Sequence, residues 1–182
     1  MTFKDHFSGH AASYAAHRPG YPPELFAYVT SLTAGKDLAW DCATGNGQAA
    51  VALAETFDQV IATDASPQQL AHAPAHPRIE YRVATAEDSG LAPASIDLLT
   101  VAQAVHWFDF DRFYAEARRV LRPGGAIALW TYNLLRHPAL NELIDHLSQK
   151  IVGAYWPPER RWVDEDYRNL PFPFPELPSP AF

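Results

Sequence analysis

The sequence predicts an α/β fold: a Rossmann-like, mostly parallel sheet with helices on both faces. Five apolar, strand-like runs alternate with helix-forming stretches along a chain of 182 residues. One of them, Ile96-Asp-Leu-Leu-Thr-Val-Ala102, is apolar and β-branched, as suits a central strand buried on both faces. Between Leu38 and Gln48 another apolar run ends in a carboxylate, Asp41, and breaks into a turn holding Gly45 and Gly47. Ala49-Ala-Val-Ala-Leu-Ala-Glu55 then supplies helix formers with an apolar stripe, so this stretch reads as strand, tight turn, helix.

Composition narrows the class. The length fits a single domain, 1–182, with a sizeable core, and 48% hydrophobic residues mark it as globular. A net charge of −7 makes a nucleic-acid backbone a poor partner. The one cysteine, Cys42, falls inside the first predicted strand, where a buried apolar role is its default. It can form neither an internal disulfide nor a Cys-rich zinc site, which fits a cytoplasmic protein. No signal-peptide core opens the chain and no run is long enough to span a membrane, so no membrane partner is expected.

The glycine turn admits two cofactor classes. Gly45-x-Gly47-x-x-Ala50 fits the dinucleotide fingerprint, which points to a nicotinamide or flavin. Asp41 opposes that, because a carboxylate at the strand end would repel a pyrophosphate. It suits instead a cationic ammonium group, such as that of S-adenosylmethionine. Here the chain resembles the class I S-adenosylmethionine-dependent methyltransferases, whose first motif is acidic-x-Gly-x-Gly-x-Gly. Ala43 stands where the first glycine belongs. The resemblance implies that Asp41, Ala43, Gly45, Gly47 and Gln48 contact that cofactor.

Upstream, Tyr14-x-x-x-Arg18-Pro19-x-Tyr21-Pro22 resembles the N-terminal segment of the trans-aconitate methyltransferase-like branch (methyltransferase type 11 domain). By that resemblance Tyr14 and Arg18 contact the methionine carboxylate, which a guanidinium can grip with two hydrogen bonds, and Tyr21 lies on the substrate side. His6 and His10 share a helical spacing, but no third ligand accompanies them, so no metal site is expected. Pro22-Pro23 opens a helix running from Glu24 to Leu32.

Downstream, Gln59 to Thr63 reads as the second strand, ending at Asp64, which follows Asp41 by one strand-helix-strand step. An acid there, beside Ala65, is placed to accept ribose hydroxyls of an adenosine. Ser66-Pro67 starts a helix with Ser66 as N-cap. His72 and His76 flank Pro74 and read as surface residues. Ile79 to Val83 alternates as the third strand, and Ala84-Thr-Ala86-Glu87-Asp88 follows. In the family this loop presents a backbone amide and an acid to the adenine edge. The resemblance thus implicates Ala86 and Glu87, with Asp88 next.

The fourth strand delivers Gln103-Ala104-Val105-His106-Trp107-Phe108-Asp109 to the crevice where such sheets bind ligands. A helix from Phe110 to Leu121, capped by Asp109, leads through Pro123-Gly124-Gly125 to the fifth strand, Ala126 to Thr131. Gln-Ala-x-His-Trp-Phe and Arg-x-Leu-x-Pro-Gly-Gly are the second resemblance to the same branch. It places Gln103 on the cofactor and His106 and Trp107 on the substrate. His106, titrating near neutrality, serves either as a catalytic base or as an orienting group, or else forms pocket wall with Trp107. Methyl transfer is an in-line displacement that positioning can carry without a base.

Residues 139 to 155 suggest an amphipathic helix through Leu140, Leu143, Ile144, Leu147 and Ile151. Tyr155 to Trp162, dense in aromatics and arginines, fits either a substrate clamp or a packed loop. The proline-rich tail from Pro171 cannot form helix or central strand. The resemblance implies seven strands, of which only five can be placed. The C-terminal hairpin is therefore expected to be missing, by truncation or because a second copy completes the edge near Ile127 to Trp130 as a homodimer. On that view 1–35 is a cap, 36–135 the cofactor core and 136–182 an incomplete substrate side, so the cofactor half survives better. The expected function is methyl transfer from S-adenosylmethionine to a small-molecule acceptor, with a carboxylic acid in view. The alternatives are an NAD(P)-dependent oxidoreductase and a non-catalytic S-adenosylmethionine-binding protein.

Overall fold

The computed structural model describes residues 20–182, which fall into two compact units. The first runs to Leu129 and takes back Pro173–Phe182; the second is Trp130–Phe172. The proline-rich tail groups with the first unit. Tyr14, Arg18, His6 and His10 lie outside the described residues.

The first unit is built on a five-stranded sheet in the order β3-β2-β1-β4-β5. The strands are β1 (Leu38–Cys42), β2 (Gln59–Asp64), β3 (Ile79–Val83), β4 (Ile96–Ala102) and β5 (Leu121–Trp130). β1 pairs in parallel with β2 and β4, and β2 with β3. The chain winds outward from β1 to β3, then returns to the other side of β1 for β4. The C-terminal ends of β1 and β4 therefore border the switch point where sheets of this kind take ligands. The five expected strands are all present, and the two central ones are the most apolar: Trp40, Leu98, Leu99 and Val101 are fully buried.

The helices follow the predicted caps. α1 (Pro23–Ser31) opens on Pro23, whose missing N–H costs nothing at the first turn. α2 (Gln48–Leu53) starts at the left-handed Gly47. α3 (Pro67–Leu70) is capped by Ser66 Oγ accepting from Gln69 N. α4 (Phe110–Val120) is capped by Asp109 Oδ1 accepting from Arg112 N and buries Phe113, Tyr114, Ala117 and Val120. At the opposite end of the sheet, Asp97 accepts from Asp37 N, Leu38 N and Arg122 Nη1, each near 3.0 Å. That carboxylate ties the starts of β1 and β4 to β5. Gly35 lies so close to it that an added Cβ would sit 2.4 Å from Asp97 Oδ1.

The crossover between β3 and β4, residues 84–95, carries no helix. It runs instead as turns and irregular chain laced to α4 at three levels. Glu87 Oε1 accepts from Asp109 N at 3.0 Å. Glu116 accepts from Ser89 N at 3.0 Å and from the Ser89 hydroxyl. Ala94 N and Ser95 N donate to Arg119 O and Val120 O. These bonds satisfy backbone groups that a crossover helix would have paired internally.

Two predicted elements are corrected. β5 begins at Leu121, directly after α4, and takes in Pro123-Gly124-Gly125 rather than starting at Ala126. Gly124 adopts φ +80°, and an added Cβ on Gly125 would lie 3.0 Å from Ile96 O, so the glycines let the chain bend and close on β4. In the second unit the helix expected over 139–155 is broken into α5 (Asn141–Asp145), a π-helical turn His146–Ile151 and a 3₁₀ turn Gly153–Tyr155. Its apolar stripe is not buried: Leu143 is 65% and Ile151 55% exposed. Without a buried face, periodicity alone does not hold a straight helix together. α6 (Arg160–Asp164) completes this unit.

Candidate active site

Asp41 is 1% exposed at the end of β1 and is held from both sides by neutral hydroxyls. Thr44 Oγ1 donates to Oδ2 at 2.5 Å and Thr100 Oγ1, on β4, to Oδ1 at 2.8 Å. Register explains the second bond, because Asp41 lies opposite Thr100 and their side chains share a face. The turn that follows uses three left-handed residues: Ala43 at φ +54°, Gly45 at +59° and Gly47 at +85°. Alanine at the first of them is strained where glycine would not be. Ala43→Gly is therefore expected to raise stability by about 0.5–1 kcal/mol, net of glycine's entropic cost. A urea midpoint unchanged or lowered by that substitution would refute the strain.

Gly47 has a second reason to be glycine, and it is not a ligand. An added Cβ would lie 2.6 Å from the Tyr81 hydroxyl. Tyr81 on β3 lies opposite Ala62 on β2, which lies opposite Asp41 on β1. The small Ala62 lets the phenol lean across the sheet to the underside of the turn. Burial, and then the charge of Asp41, push the Tyr81 phenol above its ordinary pKa. Its hydroxyl is buried with no hydrogen-bond partner among the described residues. No local pattern in the sequence marks Tyr81 for this place, since its neighbours come from three strands.

The remaining predicted residues gather around the same strand ends. Asp64 Oδ2 accepts from Gly45 N at 2.8 Å and Oδ1 from Ser66 N at 2.9 Å. Ala65 follows it, and Ala86 is buried in the loop after β3. Gln103 leaves β4 at φ +58°, a costly conformation of the sort found at binding sites. His106 is 8% exposed within a 3₁₀ turn, its ring 4.7 Å from that of Trp107. Tyr21, Asp41, Thr44, Gln48, Ala49 and Ala102 line a narrow cleft over the turn. There the side-chain oxygen of Gln48 is buried with no partner among the described residues, an acceptor suited to a ligand's donor.

The electrostatics of this cleft are negative. The fully buried Cys42 thiol is raised well above its ordinary pKa, first by burial and then by the charges of Asp41, Glu87 and Asp64. The thiol is therefore inert. In the second unit, Arg160 is committed to Asp164 at 2.9 Å and stacks over Trp156 at 4.6 Å, while Arg161 covers Trp162. Among the described residues no cluster of His, Cys, Asp and Glu is placed to hold a metal, and no helix is long and apolar enough to cross a membrane.

A methyltransferase domain family matches residues 40–129, the span from β1 to β5. A solved structure of a type II methyltransferase from Anaeromyxobacter dehalogenans is 49% identical, with a TM-score of 0.82 over 90% of this chain and 70% of that one. The chain belongs to the class I S-adenosylmethionine-dependent methyltransferases. Among curated members, a methyltransferase of Dictyostelium discoideum is 39% identical over 173 residues, 92% of this chain and 66% of the relative. An uncharacterized methyltransferase of Mycobacterium tuberculosis is 34% identical over 170 residues, covering 65% of its length. The chain thus spans about two thirds of the curated methyltransferases it matches. Membership settles the choice left open by the glycine turn: the family's cofactor is S-adenosylmethionine, not a dinucleotide. The buried Asp41 carboxylate and the Gln48 oxygen, which has no partner among the described residues, fit that cationic cofactor.

Proposed function

We propose that this chain binds S-adenosylmethionine across the ends of β1, β2 and β4 and transfers its methyl group to a small-molecule acceptor. The observation that carries this reading is the cleft over the glycine turn, lined by the buried carboxylate of Asp41 and by a Gln48 oxygen with no partner among the described residues. Such a cleft attracts a cationic cofactor and repels a pyrophosphate. Asp64 and Ala65 would take the ribose, and Ala86 and Glu87 the adenine edge. Asp41, Ala43, Gly45, Gly47, Gln48 and Gln103 would surround the methionine portion, with Tyr14 and Arg18 on its carboxylate. The cofactor, when bound, supplies an electrophilic methyl group. The protein's part is to hold the acceptor in line and keep water out. Tyr21, His106 and Trp107 are the groups for that task. A carboxylic acid, the acceptor suggested by the trans-aconitate-like motifs, arrives already ionised. Against it the buried His106 orients an anion rather than removing a proton.

Calorimetric titration with S-adenosylmethionine, S-adenosylhomocysteine and NADH tests the reading. The first two should bind and NADH should not. Asp64→Ala should weaken both by about 10–100-fold, since it strips the ribose hydroxyls and the Gly45 amide of their acceptor. Binding of NADH alone, or full affinity in Asp64→Ala, would overturn it.

A further inference from the structure

The family membership and the cleft account for a cofactor site but leave open how the adenine side communicates with the loop that carries His106. We propose that Glu87 is a positioning residue shared between them: one oxygen fixes the acceptor-side loop and the other takes the adenine amine. This rests on the cofactor reading above. Three observations support it. First, Glu87 sits in the loop after β3, whereas Asp109 closes the loop after β4, and these strands are separated in the sheet by β2 and β1. A bond between them joins two walls that the sheet itself does not bring together. Second, the bond is specific. Glu87 Oε1 accepts from Asp109 N at 3.0 Å, and no described residue bonds Oε2.

Third, the tie lands where it matters. Asp109 is the N-cap of α4, one residue beyond Phe108, whose ring packs on Phe113 at 4.9 Å. The 3₁₀ turn Val105–Trp107, with His106 buried in it, is strung between β4 and that cap. At one end of this span Gln103 holds a left-handed conformation; at the other Glu87 grips Asp109. The turn is thus fixed at both ends, and the second anchor is a charged group facing the cofactor side. A carboxylate that accepts a donor at each oxygen is held more rigidly than one that accepts a single donor. Occupancy of the adenine position therefore stiffens the His106 turn.

The test is hydrogen–deuterium exchange of the 182-residue chain with and without saturating S-adenosylhomocysteine, for the unaltered protein, Glu87→Gln and Glu87→Ala. In the unaltered protein the nucleoside should slow exchange in residues 84–90 and 104–112 together. Glu87→Gln keeps an oxygen for Asp109 N but turns an NH₂ toward the adenine amine. It should bind about tenfold more weakly and, once saturated, protect 84–90 while 104–112 exchanges faster than in the saturated unaltered protein, because no bond now carries adenine occupancy to the tie. Glu87→Ala should protect 84–90 only, with 104–112 exchanging at least about threefold faster than in the saturated unaltered protein. Equal protection of 104–112 in Glu87→Ala would overturn the coupling alone. Full protection of 104–112 in saturated Glu87→Gln would do the same, because its bond to the adenine is gone. A calorimetric trace with no heat for the unaltered chain would instead overturn the cofactor reading on which the coupling stands.

Discussion

Gly47→Ala is expected to destabilise the protein by about 2–4 kcal/mol, from a left-handed backbone and an overpacked contact together. The backbone is at φ +85°, and the new methyl would meet the Tyr81 hydroxyl at 2.6 Å. The two contributions separate in a double-mutant cycle with Tyr81→Phe. Tyr81→Phe alone removes a buried hydroxyl that lacks a partner among the described residues, and should be neutral or stabilising by up to about 1 kcal/mol. In that background Gly47→Ala should cost about 1–2 kcal/mol less, because the hydroxyl no longer blocks the methyl. Strict additivity in urea denaturation would mean that backbone strain alone excludes alanine. A Gly47→Ala protein melting like the unaltered one would remove Tyr81 from the turn altogether.

Acid should weaken the protein through Glu116. The Arg119 guanidinium first, and the Ser89 hydroxyl and amide after it, hold its carboxyl at about 2, against an ordinary value of 4.5. A carboxyl whose pKa falls on folding contributes stability above the unfolded value and loses it as pH drops through the folded one. The stabilisation is therefore complete above about pH 5 and declines toward pH 2, a span worth up to about 3 kcal/mol before solvent screening of the half-exposed Arg119. Urea midpoints measured from pH 2 to pH 7 should fall on the acid side for the unaltered protein and fall markedly less for Glu116→Gln. Parallel curves for the two proteins would rule Glu116 out as the source.

What the sequence made legible was local. Ser66 and Asp109 declare themselves as caps because the groups they bond lie three residues away. Asp41, Gly45 and Gly47 declare the turn because strand, acid and glycines are consecutive. The spacing from Asp41 to Asp64 follows from the length of one strand-helix-strand unit. What stayed hidden depends on neighbours that sequence does not set side by side. Tyr81 reaches Gly47 only because Ala62 lies between them in register. Glu87, read from its motif as an adenine contact, also spends one oxygen on Asp109. The stripe from Leu140 to Ile151 has helical periodicity, yet its face is exposed and the backbone breaks into shorter turns. Periodicity marks a face suited to burial; it does not supply the surface that buries it.

The helix-free crossover has a consequence for the order in which the chain can mature. Residues 84–95 precede α4 by a dozen or more positions, so they emerge from the ribosome before the segment that fastens them. At the several residues per second of synthesis, this crossover waits with its backbone unpaired until Asp109, Glu116 and Arg119 emerge. A chain ending at β4 would already contain the sequence of four strands and the glycine turn. It would still lack the Asp109 amide for Glu87 and the Glu116 carboxylate for Ser89. The crossover is therefore fastened late and at once, with α4, rather than strand by strand.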